Sequence, residues 1–196
     1  MKKLQILFLI AVAIWFWGCD KPGESKGDQF SLNLAGKEGA VPVKVLWEYK
    51  GLPGKMEIYE LASQRPVKLW DTQAYDSIEK APVSKPIEDS KLVLVAGDTR
   101  KFALVYKNPL NETLHFFAAP HSVQPPEFGF GFKFKCLCVN HLFKVGPNQV
   151  WVRVVELRTM PNWKSDPFQI THTLIRVAAD QAAQWEKPES GSGNPD

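Results

Sequence analysis

The chain has 196 residues, 44% hydrophobic and 23% charged, with 24 Lys and Arg against 21 Asp and Glu for a formal charge of +3. This composition fits one globular domain plus an anchor. The basic residues are scattered with no basic block, so nothing supports nucleic-acid binding.

Residues 1–18 open with Met1-Lys2-Lys3 and continue as an uncharged apolar run to Trp17, the pattern of an export signal. The run, about 14 residues, is shorter than the roughly 17–25 a spanning helix needs. Gly18-Cys19 looks like a lipoprotein cleavage site, which makes Cys19 a lipid anchor. Trp15 and Trp17 fit instead the interfacial aromatics of an uncleaved signal anchor with Lys2 and Lys3 inside. Either way the chain ends at a membrane surface. Residues 19–40 are rich in Gly, Lys, Glu and Ser without hydrophobic period and read as a linker.

Order is expected from residue 41. Val43, Val45, Trp47 and Tyr49 alternate with Lys44, Leu46 and Glu48, a half-buried strand, and Gly51-Leu52-Pro53-Gly54 then turns the chain. Further strands are expected over 55–60, 66–70, 91–96, 101–107 and 113–118, with turns at Gly97-Asp98 and 108–111. Residues 71–80 read as a short helix stopped by Pro82 and Pro86, and 81–90 as a loop inserted outside the core. After Pro125-Pro126, residues 128–139 form one apolar strand candidate, and 149–157 and 168–177 close the domain. About nine short strands and hardly any helix predict an all-β, immunoglobulin-like antiparallel β-sandwich over 41–177. A short helix and a Pro/Gly/Ser-rich tail fill 178–196.

The chemistry concentrates at Cys136-Leu137-Cys138, two of only three cysteines. In a strand, residues two apart share a face, so Cys136 and Cys138 project the same way. Their Cα atoms would lie about 6.5–7 Å apart, near or beyond the upper limit for a disulfide. Thiolates favour Cu(I), Zn or iron-sulfur clusters, and two without a second pair point to Cu(I). An odd number of thiols in an exported chain also argues against a closed disulfide framework.

The ordered series Gly97-Asp98-Thr99-Arg100-Lys101-Phe102-Ala103, Tyr106-Lys107-Asn108-Pro109, Phe134-Lys135-Cys136-Leu137-Cys138 and 150–154 resembles the cytochrome c oxidase assembly proteins of the CtaG family, which carry Gly-Glu, Asn-Pro and Cys-Phe-Cys-Phe at comparable intervals. The resemblance covers roughly 91–177 and extends to Asp166-Pro167 and the strand over 170–176. Cys19-Asp20-Lys21-Pro22-Gly23 is similar to the family's Cys-x-x-Thr-Gly segment, which gives Cys19 a second reading as an auxiliary thiol.

The resemblance implies an immunoglobulin-like domain on the periplasmic side of the bacterial inner membrane, binding Cu(I) through Cys136 and Cys138. It further implies a copper donor, delivery to the CuB site of the haem-copper oxidase catalytic subunit, and copper-bridged homodimers. Leu137 and Val139 stand where the family has phenylalanines, Leu142 near its Gln, and Val152-Arg153 where it has Met-Pro.

Other soft or titratable groups read more simply. His141 falls on the face opposite Cys138 if the strand continues, and its ligation stays open. His121 reads as a loop residue that only a tertiary contact could bring to the thiols. His115 and His172 read as half-buried polar residues within strands, and Met160 as a gap-filler. Trp151 and Trp163 read as core residues or as flanks of a docking surface. No nucleophile elbow, phosphate loop or zincin helix occurs, so a non-enzymatic copper carrier is expected. The alternatives are a thiol-disulfide protein that reduces another copper site, and an immunoglobulin-like lipoprotein in which neither thiol matters.

Overall fold

The computed structural model describes residues 40–63, 66–137, 141–161 and 167–185. Two six-stranded sheets pack face to face. The first runs β10 (Phe143–Val145), β7 (Leu114–Ala118), β12 (Phe168–Val177), β1 (Val41–Lys50), β5 (Lys91–Leu94), with β8 (Ser122–Gln124) also on β12. The second runs β3 (Thr72–Tyr75), β11 (Val150–Thr159), β6 (Thr99–Lys107), β2 (Met56–Leu61), β4 (Val83–Pro86), with β9 (Phe132–Lys135) also on β11. All pairs are antiparallel except β1 with β12, which run parallel with Trp47 beside His172. One short helix, α1 (Ala179–Trp185), follows the sandwich. The expected all-β sandwich is thus the fold. The signal, the linker and Cys19 lie outside the described residues, among which no helix is long and apolar enough to cross a membrane.

Period-two alternation builds the interior. Val43 and Val45 of β1 and Phe168, Ile170, His172 and Leu174 of β12 are buried on one sheet, facing Ile58, Phe102, Leu104, Trp151, Val155 and Leu157 of the other. Phe116 joins the layers, its ring 5.3 Å from Trp151 and 5.5 Å from Tyr106. The run from Val150 to Val155 is buried on both faces, with Arg153 its one charged member, because the outer face of β11 is covered as well. Val150, Val152, Ala103 and Val105 form a second, smaller core with Ala81, against which Ile78 and Val83 pack.

That outer core corrects two expectations. Residues 71–80 form strand β3 and a 3-10 turn at Ile78–Lys80 instead of a helix, because β3 completes the open edge of β11. Residues 81–90 are no detached insertion: β4 pairs with β2 and Ala81 is buried. Nor is 66–70 a strand; residues 66–68 carry no regular structure, and a turn follows in which Trp70 has a φ of 64°. The strand expected over 128–139 is much shorter. Pro126–Phe130 is a 3-10 helix, to which proline's fixed φ at its start is suited, and β9 covers only Phe132–Lys135. It stops there for want of a partner, because the next backbone groups of β11, at Val154, already bond to Trp70 and Asp71.

Asn108 fastens the β6–β7 turn to β10. It is fully buried, its amide donates to the carbonyls of Glu112 and Gly146, and its side-chain oxygen accepts from the Leu110 N–H. Truncation orphans those buried groups, so Asn108→Ala should destabilise the domain by about 2–3 kcal/mol in chemical denaturation.

Candidate metal centre

Each sheet has a long central strand with one long neighbour on one side and two half-length neighbours on the other. Along β12 the two short partners are β8, opposite Gln169 to Thr171, and β7, opposite Leu174 to Val177. His172 lies in the gap between them. Along β11 they are β3, opposite Val150 to Arg153, and β9, opposite Glu156 to Thr159. Between β7 and β8, which follow one another along the same side of β12, residues 119–121 bulge by one residue, and the chain leaves β9 at Cys136. The two irregular segments meet between the sheets.

There His121, Cys136 and His172 converge, each offering one donor atom, all within 4.8 Å of one another. Cys136 Sγ is 3.9 Å from His121 Nδ1. Cys136 is 3% exposed, His172 is fully buried and His121 is half-buried. Even parity holds from Phe132 through Phe134 to Cys136, which directs the thiol inward. His172 is inward by the same rule, between Ile170 and Leu174. Aromatic rings wall the site: Trp47 stacks on His172 at 5.3 Å, Phe134 meets His172 edge-on at 5.4 Å, and His121 lies 6.1 Å from Phe132. The two imidazoles are 5.3 Å apart.

Arg153 supplies the adjoining charge. It is 6% exposed; its Nε donates to the Cys136 carbonyl at 3.2 Å, and one terminal nitrogen donates to Thr72 Oγ1 at 2.7 Å. Burial pulls the guanidinium below its ordinary pKa, and the interaction with Cys136 opposes that pull. A cation held on the Cys136 carbonyl stands at the residue whose thiolate would be the ligating form.

The donor set fits a metal ion. Tetrahedral zinc-type bonds of about 2.0–2.1 Å to nitrogen and 2.3 Å to sulfur put neighbouring donors about 3.3–3.6 Å apart; Cys136 Sγ and His121 Nδ1 stand at 3.9 Å and all three donors within 4.8 Å, so a metal would draw each of them in by about 1 Å or less. One thiolate and two imidazoles suit copper or zinc and not hard cations such as Mg or Ca.

Set against the expectations, Cys136 stands at the centre, while Cys138, its expected partner, lies outside the described residues. His121 and His172, read from sequence as a loop residue and a half-buried polar one, are the neighbours that sequence reasoning missed. His172 carried a signal, because its parity with Phe168, Ile170 and Leu174 points it into the core. His121 carried none, since its approach depends on the bulge between β7 and β8 along β12. Met160 packs against the core and His115 is half-buried on β7, as expected. Trp151 is core, 1% exposed, and Trp163 lies outside the described residues.

His141 is exposed, its ring edge-on to Phe143 at 4.9 Å, and it is not one of the three grouped donors. Partial burial, then the charge of Arg153, holds it below the ordinary histidine pKa. A histidine depressed in the folded state stabilises the fold while neutral, and that contribution is lost as pH falls through the depressed value. An NMR titration should show His141 taking up its proton below 6.5, with stability falling over the same acid window.

Residues 41–177 match the family model described as Domain of unknown function (DUF8709). No curated protein and no solved structure matches the chain. The match spans both sheets and all three donors, well over half of the 196 residues, and the chain belongs to the DUF8709 family.

Proposed function

We propose that this immunoglobulin-like domain binds copper as Cu(I), with Cys136 as the central ligand. The observation that carries the reading is the convergence of His121, Cys136 and His172, donors from three separate stretches of chain, within 4.8 Å in an aromatic-walled interior. Imidazole and thiolate both suit copper, and an apolar surround keeps competing water away. Cys138, two residues along, supplies a second thiolate for transfer.

The CtaG resemblance extends this to a non-enzymatic carrier. The chain is held at the inner membrane through its N-terminal segment or a lipidated Cys19, with the domain facing the periplasm. It takes Cu(I) from a donor protein and passes it by ligand exchange to the CuB site of the haem-copper oxidase catalytic subunit, with a copper-bridged homodimer as one holding form.

In anaerobic titration against a Cu(I) chelator, the reduced full chain should bind one copper per protein. Cys136→Ser should weaken binding roughly 100-fold, about 2.8 kcal/mol. Affinity should also fall as the medium is acidified, because protons compete for all three donors. Undiminished copper retention by the Cys136→Ser/Cys138→Ser double variant would overturn the reading, as would tight zinc binding with no copper binding. Normal oxidase activity in cells carrying that double variant would remove the delivery role alone.

A further inference from the structure

A mixed set of one thiolate and two imidazoles differs in kind from a pair of thiolates. Two neighbouring thiolates bind Cu(I) but are consumed by Cu(II): two Cu(II) ions each take one electron, leaving two Cu(I) and a disulfide. Trigonal donor sets of two histidines and one cysteine accommodate both oxidation states.

We propose that the His121–Cys136–His172 centre is a one-electron copper site that keeps its ion through the Cu(II)/Cu(I) couple. The inference rests on the copper-binding part of the reading above and is independent of delivery to an oxidase.

Three features carry it. The donors are framed from separate elements. His172 sits on β12, bonded to β1 along its length; the bulged segment that carries His121 is tied by the Ala119 N–H to the Thr173 carbonyl at 2.9 Å; and Arg153 holds the Cys136 carbonyl. Such a close-packed frame resists the ligand rearrangement that a change of oxidation state would otherwise bring. Burial of Cys136 to 3% exposure limits the approach of a second protein's thiol. Electrons nonetheless have a short path, because Trp47, stacked on His172 with its plane tilted by only 21°, also lines a surface cleft of about 450 Å³ with Tyr49, Lys55 and Ile87.

The step is simple in balance. A one-electron reductant, here ascorbate, gives one electron to the Cu(II) form; the charge of the site falls by one and no ligand is lost. Ferricyanide takes the electron back.

The test adds one equivalent of Cu(II) to the reduced full chain in detergent, without oxygen. The expected result is an intense visible thiolate-to-Cu(II) charge-transfer band with a one-copper EPR signal, bleached by ascorbate and restored by ferricyanide with the copper retained. His121→Gln, at a half-buried position and checked for fold by circular dichroism, should lose most of the band's intensity, at least fivefold, while still binding Cu(I).

Immediate bleaching with loss of titratable thiols would overturn the inference, as would an unchanged band in His121→Gln. If Cu(I) binds one-to-one while Cu(II) only oxidises thiols, the redox inference fails and copper binding stands. If neither oxidation state binds, both fail.

Discussion

The architecture turns on the two central strands, β11 and β12, each of which has one long neighbour and two short ones. A continuous partner would satisfy every backbone group and seal the sheet. Two half-length partners instead leave a step where one strand ends and another segment begins, and the chain must bulge or turn there. In the β12 sheet the step falls opposite His172 and Thr173, and in the β11 sheet opposite Val154 and Val155. The backbone at each step is still partnered, by Ala119 on β12 and by Trp70 and Asp71 on β11. The interruptions therefore cost little in hydrogen bonding, and they bring irregular chain bearing a cysteine and a histidine into a core that regular strands would fill with aliphatic side chains.

Placing polar donors inside a sandwich carries a desolvation cost. The cluster meets it in two ways. Rings of Trp47, Phe134 and Phe132 take up the apolar surface of the imidazoles. Arg153 is a buried cation that binds the Cys136 carbonyl, so that one side chain holds the backbone carrying the thiol, while its interaction with Cys136 opposes the effect of its own burial. In the sequence, Arg153 stood out only as a departure from the Met-Pro of the CtaG pattern. In the structure it is the residue that ties β11 to the segment leaving β9.

Sequence periodicity revealed the sandwich because alternation is local: β1 and β12 carry enough consecutive in-and-out residues to declare a period of two, while β6 and β11, buried on both faces, read as short β-branched and aromatic runs bounded by turns. It misjudged 71–80 and 81–90 because those segments are strand and cover only by virtue of the edge and outer face of β11 they meet. It overextended the strand through Cys136 for the same reason. Nothing in Phe128 to Val139 encodes where the neighbouring strand runs out of free backbone groups.

By itself, the sequence determined an all-β domain over 41–177 and put Cys136 on the face of Phe132 and Phe134, because parity along a strand follows from the alternation of Cβ positions; that this face is buried at Cys136 came from the structure. Only the tertiary structure decided which groups stand around that thiol. His172 is 36 residues away along the chain and His121 is 15, and they meet Cys136 solely because two interrupted sheets face each other. Their meeting turns a one-strand thiol motif into a three-donor centre, since long-range contacts depend on which edges remain open.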